Sequence, residues 1–294
     1  MPVSFGPDFI CIGMHKAGTQ WLYDQTQTHP DFWMPPIKEL HYFERRENGG
    51  DMALEITIGK RRTYRTPRLK WREVTDPRDR GFISEMAKEY GKPVDFDAYG
   101  ALFRHKGDLI SGDITPQYGS IDESVVEGIA RTFPDATIIQ LVRDPVARAW
   151  SHISQWDRRD KFDTDLLQTR EKFRAFLDRS KKLDRFSSAA RTAEKWTRHI
   201  RKDKFHFFFF DDIVQQPDVV RRDILTLLGA DPQKPSGELD PGHNRKAGNK
   251  KLEFTNAVER ELAGRFQQEL ADCARLFGGH AKEWAAKYEA LVAA

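Results

Sequence analysis

Lys16, Lys38, Glu39, His41, Asp113, Arg143 and Ser151 are the side chains whose types and spacing could do chemistry. Lys16 sits inside Gly13-Met14-His15-Lys16-Ala17-Gly18-Thr19, with Gln20 next. An apolar run, Phe9 to Ile12, stops at Gly13, and a helical pattern starts near Gly18. Run, glycine turn and helix start together predict a buried strand feeding an anion-binding loop. Glycines let backbone N–H groups approach an anion, the helix N-terminus adds partial positive charge, and Lys16 adds a full one. Thr19 can donate its hydroxyl to the same oxygens. The spacing is not that of a nucleoside-triphosphate loop, G-x-x-x-x-G-K-[ST], because Thr19-Gln20 follow Gly18 and the lysine lies within the loop. A phosphate or sulfate handled without a metal fits better than a triphosphate with magnesium. The competing reading is a glycine that opens a helix beside a solvated lysine.

Lys38, Glu39 and His41 put three ionisable groups within four positions, between Pro35-Pro36 and Tyr42-Phe43. Two prolines stiffen the approach, and alternating Leu40, Tyr42 and Phe43 can anchor a strand-like run against a core. A carboxylate in such surroundings can have its pKa raised toward a useful general-base value. In a strand-like run Glu39 and His41 share a face, so either could be the base; a surface turn with a Lys–Glu pair is the plainer alternative. Arg143 leaves an apolar run, Asp144 is placed to cap a helix with Pro145 at its first position, and Ser151 follows about two turns later. An arginine fork plus a hydroxyl suits a terminal phosphate.

These residues need elements to hold them. A first helix is predicted over 18–29, and a short strand over 109–113. Next come a helix with Ile121, Val125, Ile129 and Phe133 on one stripe, and a buried strand over 136–142. This β-α-β order implies an α/β fold with a parallel sheet and right-handed crossovers. Ligands collect at the carboxyl ends of such strands, where Lys16, Asp113 and Arg143 would lie. Residues 44–107 are irregular, with a basic and aromatic run around Lys60 to Arg72. They read as a lid or substrate-facing insertion, or as a solvated loop.

With 294 residues and 39% hydrophobic content there is ample material for a core. The 48 basic and 45 acidic side chains leave a net charge of only +3, so no polyanion-binding field arises and nucleic acid is not an expected partner. Cys11 and Cys273, the two cysteines, form no framework or metal spacing, which fits a reducing compartment. No stretch approaches membrane-spanning length and no signal-like N-terminus is present. The expectation is a soluble, cytoplasmic protein without a metal site.

HKAGTQW at 15–21 resembles the 5′-phosphosulfate-binding loop of sulfotransferases that use 3′-phosphoadenosine 5′-phosphosulfate (PAPS), and LVRDPVARAWSHI at 141–153 resembles their 3′-phosphate-binding segment. Lys38-Glu39-Leu40-His41-Tyr42-Phe43 is similar to the K-E-x-H-F-F stretch of the heparan sulfate branch, where the glutamate is the base. Asp113-Ile114-Thr115-Pro116-Gln117-Tyr118 resembles that branch's E-K-[ST]-P-x-Y, with Ile114 in place of the lysine. Trp196 through Asp212 looks like the family's late strand and corner, and Pro217 to Gly229 like the helix after it. His243 to Lys250 resembles its late nucleotide-closing loop, with Ala247 interrupting the usual Lys-Gly pair.

The resemblance implies a P-loop-like sulfotransferase fold over residues 1–294; it spans 8–43 and 108–250 and covers poorly the insertion at 44–107, the charged helices at 157–190 and the C-terminal helices at 255–292. It implies transfer of a sulfuryl group from PAPS to a hydroxyl or amine, most simply of a carbohydrate, with PAP (3′-phosphoadenosine 5′-phosphate) as product. Lys16 would neutralise the leaving oxygen, and Ala17, Gly18, Thr19 and Gln20 would line the 5′-phosphate site. Arg143 and Ser151 would hold the 3′-phosphate, while Arg245, Lys246 and Gly248 would close over the nucleotide. Glu39 would be the base with His41 its rival, and Lys38 and Asp113 would meet the acceptor. A P-loop small-molecule kinase and a non-catalytic PAP-binding protein are the other classes.

Overall fold

In the computed structural model, which describes residues 5–44, 76–89, 92–235, 239–244, 248 and 251–293, four parallel strands lie in the order β2-β1-β3-β4. They are β1 (Phe9–Gly13), β2 (Gly112–Ile114), β3 (Thr137–Val142) and β4 (Phe205–Phe209). Every residue of β1 and β3 is buried. That is why both read as unbroken apolar runs: a parallel sheet is covered on both faces. Alternation along β1 divides the core. Phe9 and Cys11 point into one cluster, and Ile10 and Ile12 into the other.

The second cluster takes up the chain after the first helix, α1 (Thr19–Gln27), with Trp33, Leu40, Tyr42 and Phe43. It also holds α2 (Pro77–Lys88), α3 (Phe96–Ala101) and α4 (Glu123–Thr132), through residues such as Phe82, Tyr99 and Ile129. Side chains such as Phe82 and Phe43, with no exposure, contribute about 1.5–3 kcal/mol each by leaving water. The first cluster is larger. It joins α1 to α5 (Pro145–Asp157), α6 (Arg170–Arg179), α7 (Lys181–Ser187), α8 (Ala189–Thr197), α9 (Phe210–Gln215) and α10 (Pro217–Leu227). The last three helices, α11 (Asn256–Arg265), α12 (Gln267–Phe277) and α13 (His280–Ala293), close it with Leu262, Cys273, Trp284 and Tyr288.

Three expectations change. The strand predicted over 109–113 forms at Gly112–Ile114 instead. Ile110 is held outside it by the segment after α1, donating to Asp31 O at 2.9 Å and accepting from Trp33 N at 2.9 Å. The strand-like run at 37–43 is a turn, with Glu39 at φ 66° and His41 at φ 52°. Of the 44–107 insertion, 45–75, with its basic and aromatic run, lies outside the described residues. The part from Asp76 onward packs into the core through α2 and α3. No described helix is long and apolar enough to cross a membrane.

Candidate active site

β1 delivers the chain into a loop of left-handed conformations, at Gly13 (φ 135°), Lys16 (φ 69°) and Gly18 (φ 101°). The glycines are needed as such: a Cβ on Gly13 would lie 3.1 Å from Pro116 O, and one on Gly18 would lie 3.1 Å from Ile213 Cδ1. Gly18 caps α1 without a side-chain hydrogen bond, and no acidic residue stands in the first turn. The positive end of α1 is therefore left for an outside anion. Arg143, at the end of β3, donates from Nη1 to the Lys16 carbonyl at 2.6 Å and stacks 4.3 Å over Phe210. Burial pulls its pKa down, while Asp144 and Asp211 pull it back. The two cations expected to hold opposite ends of a nucleotide are thus coupled through one hydrogen bond.

Asp144 caps α5 as its sequence predicts, accepting from Val146 N at 2.8 Å and Ala147 N at 3.3 Å with Pro145 first in the helix. Its other oxygen accepts from Tyr288 Oη of α13 at 2.6 Å. Ser151 lies half-buried two turns along. Thr19 is buried and Ala17 fully so, whereas the Gln20 amide turns along α1 to Asp24 at 2.9 Å. Of the late loop, Arg245 and Lys246 lie outside the described residues; Gly248 is exposed. The described chain on either side of it is docked. Trp21 of α1 donates to Pro241 O at 2.6 Å, and Trp150 of α5 donates to Leu252 O at 3.3 Å.

Lys38, Glu39 and His41 come together. Lys38 Nζ is 2.5 Å from Glu39 Oε1, and His41 Nε2 is 3.6 Å from Glu39 Oε2. Glu44 takes the other ring nitrogen, Nδ1. Lys38 is buried, while the Glu39 side chain is 33% exposed. The raised pKa expected for Glu39 does not occur. Burial pushes it up, but the Lys38 ammonium and the His41 hydrogen bond outweigh that and hold the carboxyl well below the ordinary range. This cluster lies against the loop: the charges of Lys38, Asp113 and Glu39 all reach the Cys11 thiol, which burial pushes up to about 12. His15 feels Glu39 and His41 as well.

Asp113, expected to meet the acceptor, instead faces inward. Its carboxylate is enclosed by the hydroxyls of Thr115 (2.6 Å), Tyr118 (2.7 Å) and Tyr99 (3.2 Å). Burial raises its pKa to about 6. Sequence reading also missed a group beside the loop. His15 packs 4.2 Å from Phe186 of α7 and lies 3.4 Å from Gln117 Oε1, while His152 stacks on the same Phe186 at 5.7 Å. Burial pushes His15 down to about 3 and His152 to about 2, so both are neutral. The wholly buried Arg148 donates to Ser187 Oγ at 2.8 Å rather than pairing with Asp144. These partners lie 34 to 171 positions apart, so no local spacing signals them.

Among the described residues, no group of three or more His, Cys, Asp or Glu could hold a metal ion. The model of the Sulfotransferase family matches residues 7–234. A sulfotransferase from Alicyclobacillus acidocaldarius superposes with a TM-score of 0.63 at 21% identity, covering 95% of this chain and 98% of that one. The sulfotransferase domain of the Synechococcus PCC 7002 olefin synthase gives 0.50 at 16% identity, over 90% of this chain and 96% of that one. The sulfotransferase STF9 from Mycobacterium avium gives 0.51 at 13%, over 94% of this chain and 78% of that one. At these identities the likenesses speak for the fold alone. No curated protein matches the chain. The family match, in contrast, runs from the strand before the anion loop to beyond α10, well over half of the sequence, and by it this chain belongs to the sulfotransferase family.

Proposed function

We propose that the chain moves a sulfuryl group from PAPS to a hydroxyl or amine of an acceptor, with a carbohydrate as the first candidate. The observation that carries this reading is the coupling of Arg143 to the Lys16 carbonyl at 2.6 Å beside the uncapped N-terminus of α1. An uncapped, acid-free helix end and two cations make a cradle suited to a nucleotide with phosphates at both its 5′ and 3′ positions. The donor, when bound, supplies a sulfuryl group on a phosphate leaving group.

The chain's own residues supply the rest. The loop N–H groups and Thr19 orient the 5′-phosphate, Lys16 offsets charge that grows on the leaving oxygen, and Arg143 with Ser151 reads the 3′-phosphate. Glu39 is ionised at neutral pH and takes the acceptor proton at a carboxylate oxygen. Its tie to Lys38 makes it a weak base until an incoming anion draws the ammonium away. His41 orients Glu39 through Nε2, with Glu44 fixing the ring from the other side.

Thermal-shift titration with PAP, adenosine 5′-phosphate and ATP-Mg²⁺ tests the nucleotide. PAP should stabilise most, and Arg143→Ala should weaken PAP by about 1.5–3 kcal/mol, and adenosine 5′-phosphate by less. Stabilisation by ATP-Mg²⁺ above PAP would turn the reading to a kinase. For the base, Glu39→Gln should lower turnover about 10²–10⁴-fold with PAP affinity nearly intact, and His41→Ala should cost less. The reverse order would make His41 the base.

A further inference from the structure

We propose that Asp113 is a positioning residue for the reaction: through the hydroxyls of Tyr118 and Thr115 it holds the backbone at His41 and Tyr42, and so fixes the turn that aims Glu39 at the anion loop. The proposal rests on the reading of Glu39 as the base. Glu39 (φ 66°) and His41 (φ 52°) are both left-handed, a conformation that residues with side chains keep only when their surroundings impose it. What imposes it is on the other side of the core. Tyr42 N–H donates to Tyr118 Oη at 2.9 Å, and His41 N–H lies 3.5 Å from Thr115 Oγ1.

Both hydroxyls therefore accept from the turn and must give their own protons elsewhere. Each gives it to Asp113, Tyr118 to Oδ2 at 2.7 Å and Thr115 to Oδ1 at 2.6 Å. A buried carboxylate at the end of such a chain polarises each hydroxyl as an acceptor and strengthens its bond to the turn. Tyr99 donates a third bond to the carboxylate, to Oδ2 at 3.2 Å. Asp113 stands on β2, opposite Ile10 of β1, the strand that runs into the anion loop. One strand pair thus carries the loop on one member and the anchor of the base segment on the other. The distance between Glu39 and Lys16 is set by the sheet, not by the turn alone. Asp113, Thr115, Tyr118 and Tyr99 are each exposed by no more than 1%. None touches a reacting group.

The test uses the full chain and needs no knowledge of the acceptor. Tyr118→Phe keeps the ring and removes the oxygen; Thr115→Val removes the hydroxyl, and Thr115→Ser keeps it. Amide exchange reads the turn: His41 and Tyr42 N–H should exchange at least ~10-fold faster in Tyr118→Phe and Thr115→Val, with β1 and β3 unchanged. PAP release from PAPS into water reads the consequence. It should fall about 10- to 100-fold in both variants, with PAP affinity within about two-fold of wild type and Thr115→Ser restored to near wild-type rate. Faster exchange with undiminished PAP release would overturn the positioning role. So would PAP affinity falling in proportion to rate, since that means general loosening. If Tyr118→Phe does not fold, the Thr115 pair decides alone. Glu39→Gln run alongside separates the two layers: full activity there removes Glu39 as base, whereas a dead Glu39→Gln with active Tyr118→Phe and Thr115→Val removes only the role of Asp113.

Discussion

Lys38 and Glu39 hold each other at 2.5 Å, and under the proposed reaction that pairing sets how strong a base Glu39 is. Burial alone would raise the Glu39 carboxyl; the adjacent ammonium and the His41 hydrogen bond bring it down. Replacing Lys38 by methionine keeps the apolar stem, removes the charge and leaves burial to dominate. The acidic limb of the pH profile of kcat/KM should then move to higher pH by ~1 unit or more. His41→Ala should move it the same way by less. An unmoved limb in Lys38→Met would mean that another group governs it. At this scale the sequence grouped these side chains and misjudged their posture. Side-chain types and spacing showed Lys38, Glu39 and His41 as a cluster. The left-handed turn depends on hydroxyls at Thr115 and Tyr118, which lie 74 and 76 positions away. Local pattern carries no trace of that.

Among the elements, those whose signals are local were legible. β1 and β3 are apolar on both faces, and the Asp144-Pro145 start of α5 is encoded in two adjacent residues. The charged stretch at 157–190 was legible as helices but not in its packing, because α6 and α7 bury only Phe173, Leu177, Leu183, Phe186 and Ser187. The start of α8 depends on a distant acid. Glu269 of α12 accepts from Ala190 N at 2.8 Å and from Cys273 Sγ at 3.3 Å. Burial raises its pKa from 4.5 to about 7, so between those values the folded chain keeps a proton that the unfolded chain has released. The resulting stability is fully present below about 4.5 and is lost as pH rises through about 7. Glu269→Gln can still accept from Ala190 N but does not ionise. Wild type should lose roughly 1–2 kcal/mol more than the variant between pH 5 and 8, after discounting for partial exposure. Melting curves at the two pH values check this, and parallel losses would show that Glu269 does not set the slope.

For the whole molecule, the helices after the family match reach back to the segment proposed to hold the nucleotide. The match ends at 234, yet α11, α12 and α13 share the larger core with β1 and β3. C-terminal helices were expected at 255–292, but nothing in the sequence said which residue they would brace. It is Asp144, next in sequence to Arg143. Tyr288 Oη donates to its Oδ2 at 2.6 Å while Val146 and Ala147 donate to Oδ1. Nearby, Trp284 Nε1 donates to Asp211 at 3.2 Å and His280 Nε2 lies 3.0 Å from Asp212, fixing α13 on the strand-to-helix corner after β4. Burial raises the pKa of Asp144, and the Tyr288 bond opposes it most directly. Tyr288→Phe should therefore cost about 1–3 kcal/mol of stability, because a buried carboxylate oxygen loses its donor. The loss should carry to binding, since Asp144 fixes the start of the helix that bears Ser151 and the point where Arg143 leaves the sheet. Affinity for PAP should fall several-fold, and the ratio of PAP to adenosine 5′-phosphate affinity should fall with it. Denaturant unfolding together with calorimetric titration of both nucleotides separates the effects. A destabilised variant with an unchanged ratio would make α13 a support for the core alone, and a falling ratio would make it part of how the 3′-phosphate is read.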